Sequence, residues 1–387
     1  MSTATAGLHW FVPLEKLDSR QKEFIDTYQR PNAGNIFLQG PPGSGKTILL
    51  VNIINQLRRA SPNQRIGLVT YTHSLIDMLN TGLAGGGRAM TYHEFMRSNA
   101  AYDVLIVDEV QDLPEHVLQR IRATAPRVIV AGDPNQRIFR DGCQEPAIRQ
   151  ALALHNADQL FTVSTTYRLT PSLFRAARVI KPQVREANES TSKTDVKPEL
   201  ARAQTTQQEL EYIYKRARLG PQNGQVSAIL LPTQDSIVSF ANAVLTYEGK
   251  PVWTVQLNDF KKMHFGSLNS HLRLHGISLE VVQNNYGSLA EVVQNKRVVL
   301  QTYHSAKGLD YTNVYLPFLN QGCYIGDFEP ETLFYVALTR SRAVMCLSYT
   351  GTPHTYLTRI AAHCASIEAN PSRVQAVGAG ASFGDDF

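Results

Sequence analysis

The sequence predicts an α/β fold made of two parallel-sheet domains. Short runs of apolar, β-branched residues alternate with segments of helical spacing, which is typical of parallel sheets covered by helices. The alternation stops in a polar region, 181–209, and begins again at Val226. With 387 residues and 43% hydrophobic content, the chain is long enough for more than one core.

The first predicted strand, 36–38, leads into the most informative stretch of the chain, and the apolar run 48–51 after it starts a helix. That stretch matches the pattern G-x-x-x-x-G-K-[ST] and reads Gly40, Pro41, Pro42, Gly43, Ser44, Gly45, Lys46, Thr47. Glycines let backbone N–H groups surround phosphates at a helix N-terminus. We therefore predict a nucleoside triphosphate site, with Lys46 on the β- and γ-phosphates and Thr47 on Mg²⁺.

The segment 103–107 predicts a buried strand that ends in two adjacent acids, Asp108 and Glu109. In a doubly wound sheet, the carboxyl ends of the strands form the edge at which ligands bind. We expect Asp108 to hold Mg²⁺, directly or through water, and Glu109 to orient and deprotonate the attacking water.

Two more strands are predicted in the first half, at 65–73 and from 128. The second ends in a polar turn in which Gln136 is placed to sense the γ-phosphate. Tyr71 and Tyr92 stand at strand or loop ends, where aromatic rings either stack on bases or simply pack. Gln21 lies in the first turn of a predicted helix over 14–28, where a glutamine is most often a solvated surface residue.

The motifs in this half resemble those of superfamily 1 helicases. The phosphate loop, the sequence DEVQD at 108–112 and the sequence GDPNQ at 132–136 are similar to motifs I, II and III of the branch typified by UvrD, Rep and PcrA. The resemblance implies two RecA-like domains in tandem, with an ATP site in the cleft between them. It also implies that Gln21 reads adenine, and that Tyr71, with Thr91 and His93 of a motif Ib, contacts nucleic acid.

Three motifs of the second half continue the resemblance in the expected order. Tyr167 and Arg168 match motif IV, which implies stacking on adenine and a contact to the γ-phosphate. Motif V at 301–310 implies backbone contacts for Thr302 and His304, and nucleotide contacts for Gly308 and Asp310. The family usually has glutamate at position 310, so the ribose contact of Asp310 is one methylene short.

Motif VI at 332–342 resembles the segment that carries the family's arginine finger, here Arg340. Its guanidinium is expected to stabilise charge on the transferring γ-phosphoryl group when the two domains close.

Two departures from the family affect the expected nucleic-acid contacts. Relatives often carry a tryptophan where this chain has Asp141, which leaves Phe139 as the ring that partly substitutes. The spacings leave no room for the large accessory domains. The insert at 250–297 holds a basic and aromatic cluster that either grips or wedges nucleic acid or is an ordinary solvated surface: Lys261, Lys262, His264, Phe265, His271, Arg273, His275.

We predict a first motor domain over 1–150, a second over 151–365 with a short insert near 250–297, and a flexible, acidic-tipped tail over 366–387. The tail is either an inert solubilising segment or a docking site for a replication or repair protein. A net charge of +5 permits a polyanionic partner without requiring one. Four scattered cysteines and the lack of a signal or membrane-spanning run predict a soluble, cytosolic protein. The family resemblance and the compact two-domain form imply a nucleoid-associated protein of a bacterial or phage-infected cell.

The function predicted from these observations is that of an ATP- and Mg²⁺-dependent single-stranded DNA translocase and helicase. By resemblance it moves 3′ to 5′, acts on single strands or tailed duplexes, works as a monomer and serves replication, repair or recombination. Two alternatives stay open. One is an ATP-gated binding or loading protein that does not unwind, and the other is an RNA helicase.

Overall fold

The computed structural model describes residues 10–30, 33–71, 73–84, 88–156, 159–182, 187–189, 193–283 and 286–374. They form two compact units: a first unit of residues 10–168 with 187–189, and a second unit of residues 169–182 with 193–374. The tail predicted to be flexible lies, from residue 375 on, outside the described residues. Among the described helices, none has the length and apolar character needed to span a membrane.

The first unit contains a six-stranded parallel sheet in the order β3-β2-β4-β5-β1-β6 and a short parallel pair, β7 with β8. With strands and helices numbered in chain order through both units, its elements are α1 (Ser19–Tyr28), β1 (Ile36–Gln39), α2 (Lys46–Ala60), β2 (Ile66–Thr70), α3 (His73–Gly82), β3 (Ala89–Thr91), α4 (Tyr92–Arg97), β4 (Val104–Val107), α5 (Glu115–Thr124), β5 (Arg127–Gly132), α6 (Glu145–Ala151), β6 (Leu160–Thr162), β7 (Thr165–Thr166) and β8 (Asn188–Glu189).

The second unit contains a seven-stranded parallel sheet in the order β11-β12-β10-β13-β14-β9-β15. Its elements are α7 (Pro171–Ile180), β9 (Glu199–Ala203), α8 (Thr206–Gln222), β10 (Ser227–Leu231), α9 (Gln234–Tyr247), α10 (Phe265–Leu274), β11 (Leu279–Val281), α11 (Leu289–Gln294), β12 (Val298–Thr302), β13 (Tyr311–Leu316), α12 (Pro330–Leu338), β14 (Ser341–Thr350), α13 (Thr355–Ile360) and β15 (Ala365–Glu368).

The α/β class predicted from the sequence is confirmed in both units. The central strands β4 and β5 are buried along their whole length, and so are β10 and β12. Strands with helices on both faces read as continuous apolar runs, which is why the sequence revealed them. Within the two large sheets of the described residues, neighbouring strands run parallel, so the loops that follow the strands lie at one edge of each sheet.

Residues 151–156 and 159–168 pack with the first unit, where β6 extends the sheet beside β1 and β7 follows it. The functional division placed at residue 150 from the sequence stays a prediction.

Glu209 on α8 is a fully buried acid that ties this helix to the sheet of the second unit. Its Oε1 accepts hydrogen bonds from the Phe318 backbone N–H (2.7 Å) and the Ser348 hydroxyl (2.7 Å), and its Oε2 accepts one from the Thr350 hydroxyl (2.6 Å). Burial raises the pKa of Glu209, although the three hydrogen bonds act to lower it.

We predict that Glu209→Gln stabilises the chain above neutral pH. A carboxyl whose pKa is raised by folding contributes stability below its unfolded pKa, and this stability is lost as the pH rises through the folded pKa. The amide keeps two acceptor contacts through its oxygen and donates to Thr350, without a buried charge. Urea unfolding should show a higher midpoint for the variant at pH 8 and equal midpoints at pH 4; a variant less stable than wild type at pH 8 would contradict this account.

Candidate nucleotide and nucleic-acid sites

The phosphate loop connects β1 to the N-terminus of α2, as the sequence predicts. Gly43 and Gly45 adopt positive φ values of 75° and 85°, which glycine takes without steric cost. The Lys46 ammonium is buried and donates hydrogen bonds to the loop's own carbonyls, those of Gly40 (2.7 Å) and Pro41 (3.1 Å). In this conformation the lysine bonds the carbonyls of the loop that is predicted to receive the phosphates.

Three acids act electrostatically on the buried ammonium. Burial lowers the pKa of Lys46, while Asp133, Glu109 and Asp108 act to raise it. Asp133 has the largest of these three effects. The loops after β4 and β5 therefore bring acids close enough to Lys46 to affect its pKa, although they lie more than sixty residues further along the chain.

Thr47 and Asp108 lie together at this edge, since the Thr47 hydroxyl donates to Asp108 Oδ2 at 2.6 Å. Burial, and next the neighbouring Glu109 carboxylate, raise the pKa of Asp108. Within the described ranges, no group of three or more His, Cys, Asp or Glu side chains could hold a metal ion. One hydroxyl and one carboxylate with phosphate oxygens fit the way Mg²⁺ is held in phosphoryl-transfer sites.

Glu109 is joined to the loop after β5 through Gln111, a residue that the sequence analysis did not single out. The Gln111 amide donates to Glu109 Oε2 (2.6 Å), and its oxygen accepts from the Asp133 backbone N–H (3.2 Å). Gln136 in turn donates to Asp133 Oδ2 at 2.9 Å. The two predicted catalytic residues, Glu109 and Gln136, therefore belong to one hydrogen-bonded chain.

Gln21 is buried against the phosphate loop rather than solvated. Its Nε2 donates to the Ser44 carbonyl at 3.0 Å, and its Oε1 accepts from the Asp18 backbone N–H at 3.1 Å. Asp18 caps α1 by accepting from the Gln21 backbone N–H at 2.7 Å. A glutamine three residues after an acid is the sequence signal of this reciprocal cap.

The segment 166–168 lies directly on the phosphate loop. The Thr166 hydroxyl donates to the Pro42 carbonyl (2.7 Å), and the Tyr167 backbone N–H donates to the Gly43 carbonyl (2.8 Å). The Tyr167 hydroxyl donates to Asp18. A Cβ on Gly43 would stand 2.4 Å from the Arg168 Cβ, so the loop and Arg168 approach as closely as glycine permits.

Predicted nucleic-acid contacts in the first unit include two aromatic rings that stack on each other. The Tyr71 and Phe139 ring centroids are 4.2 Å apart at 29°, and Tyr92 stacks on Tyr71 at 5.3 Å and 24°. Exposed His93 lies against Tyr92, at 3.9 Å between centroids. Thr91 is buried and caps α4 by accepting from the Glu94 backbone N–H, so its hydroxyl has a structural role.

The motif V residues of the second unit are mostly buried. The Thr302 hydroxyl donates to Ser305 Oγ (3.0 Å) and accepts from the Ser305 backbone N–H (3.2 Å). Burial and the Lys307 ammonium lower the pKa of His304, which favours its neutral form. Gly308 has a φ of 82°.

Asp310 and Arg340 both make contacts within the second unit. Asp310 forms an ion pair with Arg342 at 2.8 Å. The Arg340 guanidinium is buried and donates to the carbonyls of Val336 (2.8 Å) and Leu309 (3.2 Å). The role of Arg340 as an arginine finger stays a prediction.

Comparison with known families separates the chain into two matched regions. Residues 21–140 match a family described as "AAA domain", and residues 274–352 match the "UvrD-like helicase C-terminal domain". The two regions hold the phosphate loop with its acids and motifs V and VI, respectively.

The chain belongs to the UvrD-like superfamily 1 helicases.

Individual relatives of this helicase are distant. A probable RNA helicase, armi of Drosophila melanogaster, is 36% identical over 92 residues, which are 23% of this chain and 8% of the relative. The helicase therefore spans only a small part of that protein's length.

Solved structures resemble the helicase at low identity. A Pif1 helicase structure, described as the basis of DNA unwinding at forked duplexes, covers 85% of this chain and 92% of its own, with 11% identity and a TM-score of 0.45. The match to the PRRSV helicase covers 85% of this chain and 54% of that protein's chain, with 12% identity and a TM-score of 0.43.

We predict that Gly43→Ala weakens nucleotide binding by the helicase at least about tenfold. The φ angle at position 43 is unfavourable for alanine by roughly 1–2 kcal/mol, and the Cβ of the alanine would push Arg168 away from the loop. Gly224→Ala is a matched control, because Gly224 has a φ of 74° but nothing within 4 Å. Titration with a fluorescent ATP analogue should show weakening for Gly43→Ala alone; equal affinities of the two variants would disprove the role of this approach.

Proposed function

We propose that the protein is an ATP-hydrolysing motor that moves 3′ to 5′ along single-stranded DNA and separates duplex strands. The observation that carries this proposal is the meeting of Lys46, Thr47 and two acids at one sheet edge. A cation, a hydroxyl beside a carboxylate, and a second carboxylate are the groups that phosphoryl transfer to water requires.

The residues divide into those that bind and those that move a proton. Lys46 leaves the carbonyls of its own loop to bind the β- and γ-phosphates of ATP, and Thr47 and Asp108 hold Mg²⁺. Bound Mg²⁺ supplies neutralisation of the charge that develops on the phosphate oxygens. Glu109 accepts a proton from the attacking water, and Gln111 fixes the orientation of its carboxylate.

Further residues of the proposed site act on the base and on the transition-state charge. Gln21 and Tyr167 contact the adenine, and Gln136 senses the γ-phosphate. Arg168 and Arg340 stabilise the charge on the transferring group, since a guanidinium fork suits phosphate oxygens. Hydrolysis then changes the affinity for the nucleic-acid strand, which is bound by Tyr71, Phe139, Thr302 and His304.

RNA as the track is a second candidate, favoured by the 36% identity to a probable RNA helicase over 92 residues. Both tracks offer the phosphates and base faces that aromatic rings and small polar groups bind without reading sequence. The 2′-hydroxyl is the group that would distinguish them.

We predict that Glu109→Gln lowers nucleic-acid-stimulated ATP hydrolysis by about 100-fold or more, the usual effect of losing a general base. The amide retains the size of the side chain but cannot accept the proton. Glu368→Gln, at an exposed acid on β15, is the matched control and should hydrolyse like wild type. Retained turnover in the Glu109 variant would remove this residue from the mechanism.

We also predict that strand displacement requires a 3′ single-stranded tail and that this tail must be DNA. Duplexes with a 3′ or a 5′ single-stranded tail, made of DNA or RNA with one sequence, should be separated only when a 3′ DNA tail is present. Displacement from a 5′ tail would reverse the proposed direction, and faster action on RNA tails would favour the second candidate. Hydrolysis without displacement on any substrate would instead indicate an ATP-gated binding protein.

A further inference from the structure

The insert between α9 and β12 contains an ordered hairpin over residues 256–264. Leu257 and Met263 form an antiparallel bridge, and the His264 backbone N–H donates to the Gln256 carbonyl at 2.8 Å. One side chain organises the turn, since Asn258 Oδ1 accepts the backbone N–H groups of Phe260 and Lys262, both at 3.0 Å. Because the turn is held by these bonds, the direction of its tip is defined.

The hairpin is supported on the body of the second unit at two places. Before it, Trp253 is buried, and its backbone N–H and carbonyl both bond the Asn242 amide, at 2.8 and 3.0 Å. Within the hairpin, the Asn258 amide donates to the Tyr286 hydroxyl at 3.4 Å, and the Tyr286 ring packs against Phe265. Both supports belong to the second unit, so the hairpin is anchored to one body.

The tip of the hairpin carries a large apolar side chain that is exposed to solvent instead of packing in a core. Phe260 is 81% exposed and Leu257 is 59% exposed. Lys261 and Lys262 follow the ring and are exposed, and Asp259 precedes it as a single acid. An exposed aromatic ring followed by two exposed lysines, on an ordered turn, presents both an apolar face and positive charge to a ligand.

A chain of hydrogen bonds links the hairpin to the motif V loop. Gln283 and Tyr286 exchange backbone hydrogen bonds of 3.0 and 2.8 Å, and Gln283 Oε1 accepts from the Ser305 hydroxyl at 3.4 Å. Ser305 bonds Thr302, one of the residues proposed to position a nucleic-acid strand. All of these residues belong to the second unit, and this chain of hydrogen bonds connects the hairpin, through Tyr286, to the segment that carries Thr302 and His304.

We propose that the hairpin 256–264 is a nucleic-acid contact in which Phe260 stacks on a base and Lys261 and Lys262 bind the neighbouring phosphates. The ring offers a π face that any base accepts, and the lysines match the charge of the backbone. The proposal rests on the proposed function, since it extends the path of the same strand. The base belongs either to a single strand or to the end of a duplex at its junction with a tail.

The test is equilibrium binding of DNA that carries 2-aminopurine, without ATP, so it does not depend on hydrolysis. The probe base is placed in a single strand or at the junction of a tailed duplex. Phe260→Ala should weaken binding roughly 5- to 100-fold. It should also abolish the quenching of 2-aminopurine fluorescence on whichever of the two substrates places its probe base against Phe260. Leu274→Ala, at a 79% exposed leucine of the same unit outside the hairpin, is the control and should bind like wild type.

Lys261→Gln with Lys262→Gln should lower the salt dependence of binding by a slope of about one to two. Unchanged affinity, quench and salt slope in both hairpin variants would overturn the proposal and leave the patch for a protein partner. Failure of the proposed function has a different signature: wild-type protein would bind DNA with a Phe260-dependent quench but neither hydrolyse ATP nor displace a strand.

Discussion

The geometry of the candidate nucleotide site depends on the buried ammonium of Lys46. A cation with 8% of its surface exposed requires partners, and here the partners are two carbonyls of its own loop and three nearby acids. The same loop is held from outside by Gln21 on one carbonyl and by Thr166 on another. Nucleotide binding must therefore exchange the contacts of Lys46 within a loop whose outer contacts keep its shape.

Several residues of the helicase motifs serve the fold and the site at once. Asp18 caps α1 and accepts the Tyr167 hydroxyl, so the start of that helix and motif IV are joined. Gln111 connects the loop after β4 to the loop after β5 through Glu109 and Asp133. In such a network, a substitution at one member alters the orientation of the next, so mutational effects in it should not be additive.

The sequence predicted the parts of the fold that have strong local signals. Buried parallel strands such as β4 and β5 are continuous apolar runs, and the phosphate loop has a pattern whose glycines are needed for positive φ values. Short strands such as β7 were missed, because two threonines carry no periodicity. The boundary at residue 150 rested on four predicted strands that alternate with helices, whereas β6 joins the same sheet through long-range pairing with β1.

The side-chain roles could be predicted only in part. The pattern of Thr91 with Glu94 three residues later is that of a helix cap, and this local signal competed with the family motif. The burial of Arg340 and its bonds to Val336 and Leu309 could not be read from the sequence, because they depend on how α12 packs. Exposure of Phe260 likewise depends on a turn held by Asn258.

The most direct test of this account is an equilibrium titration of Lys46→Ala and wild type with a fluorescent, non-hydrolysable ATP analogue and Mg²⁺. Because Lys46 is expected to exchange its loop carbonyls for phosphate oxygens, the variant should bind at least about tenfold more weakly, a loss of roughly 1.4 kcal/mol. Equal affinity of the variant and the wild type would contradict the assignment of this loop as the triphosphate site.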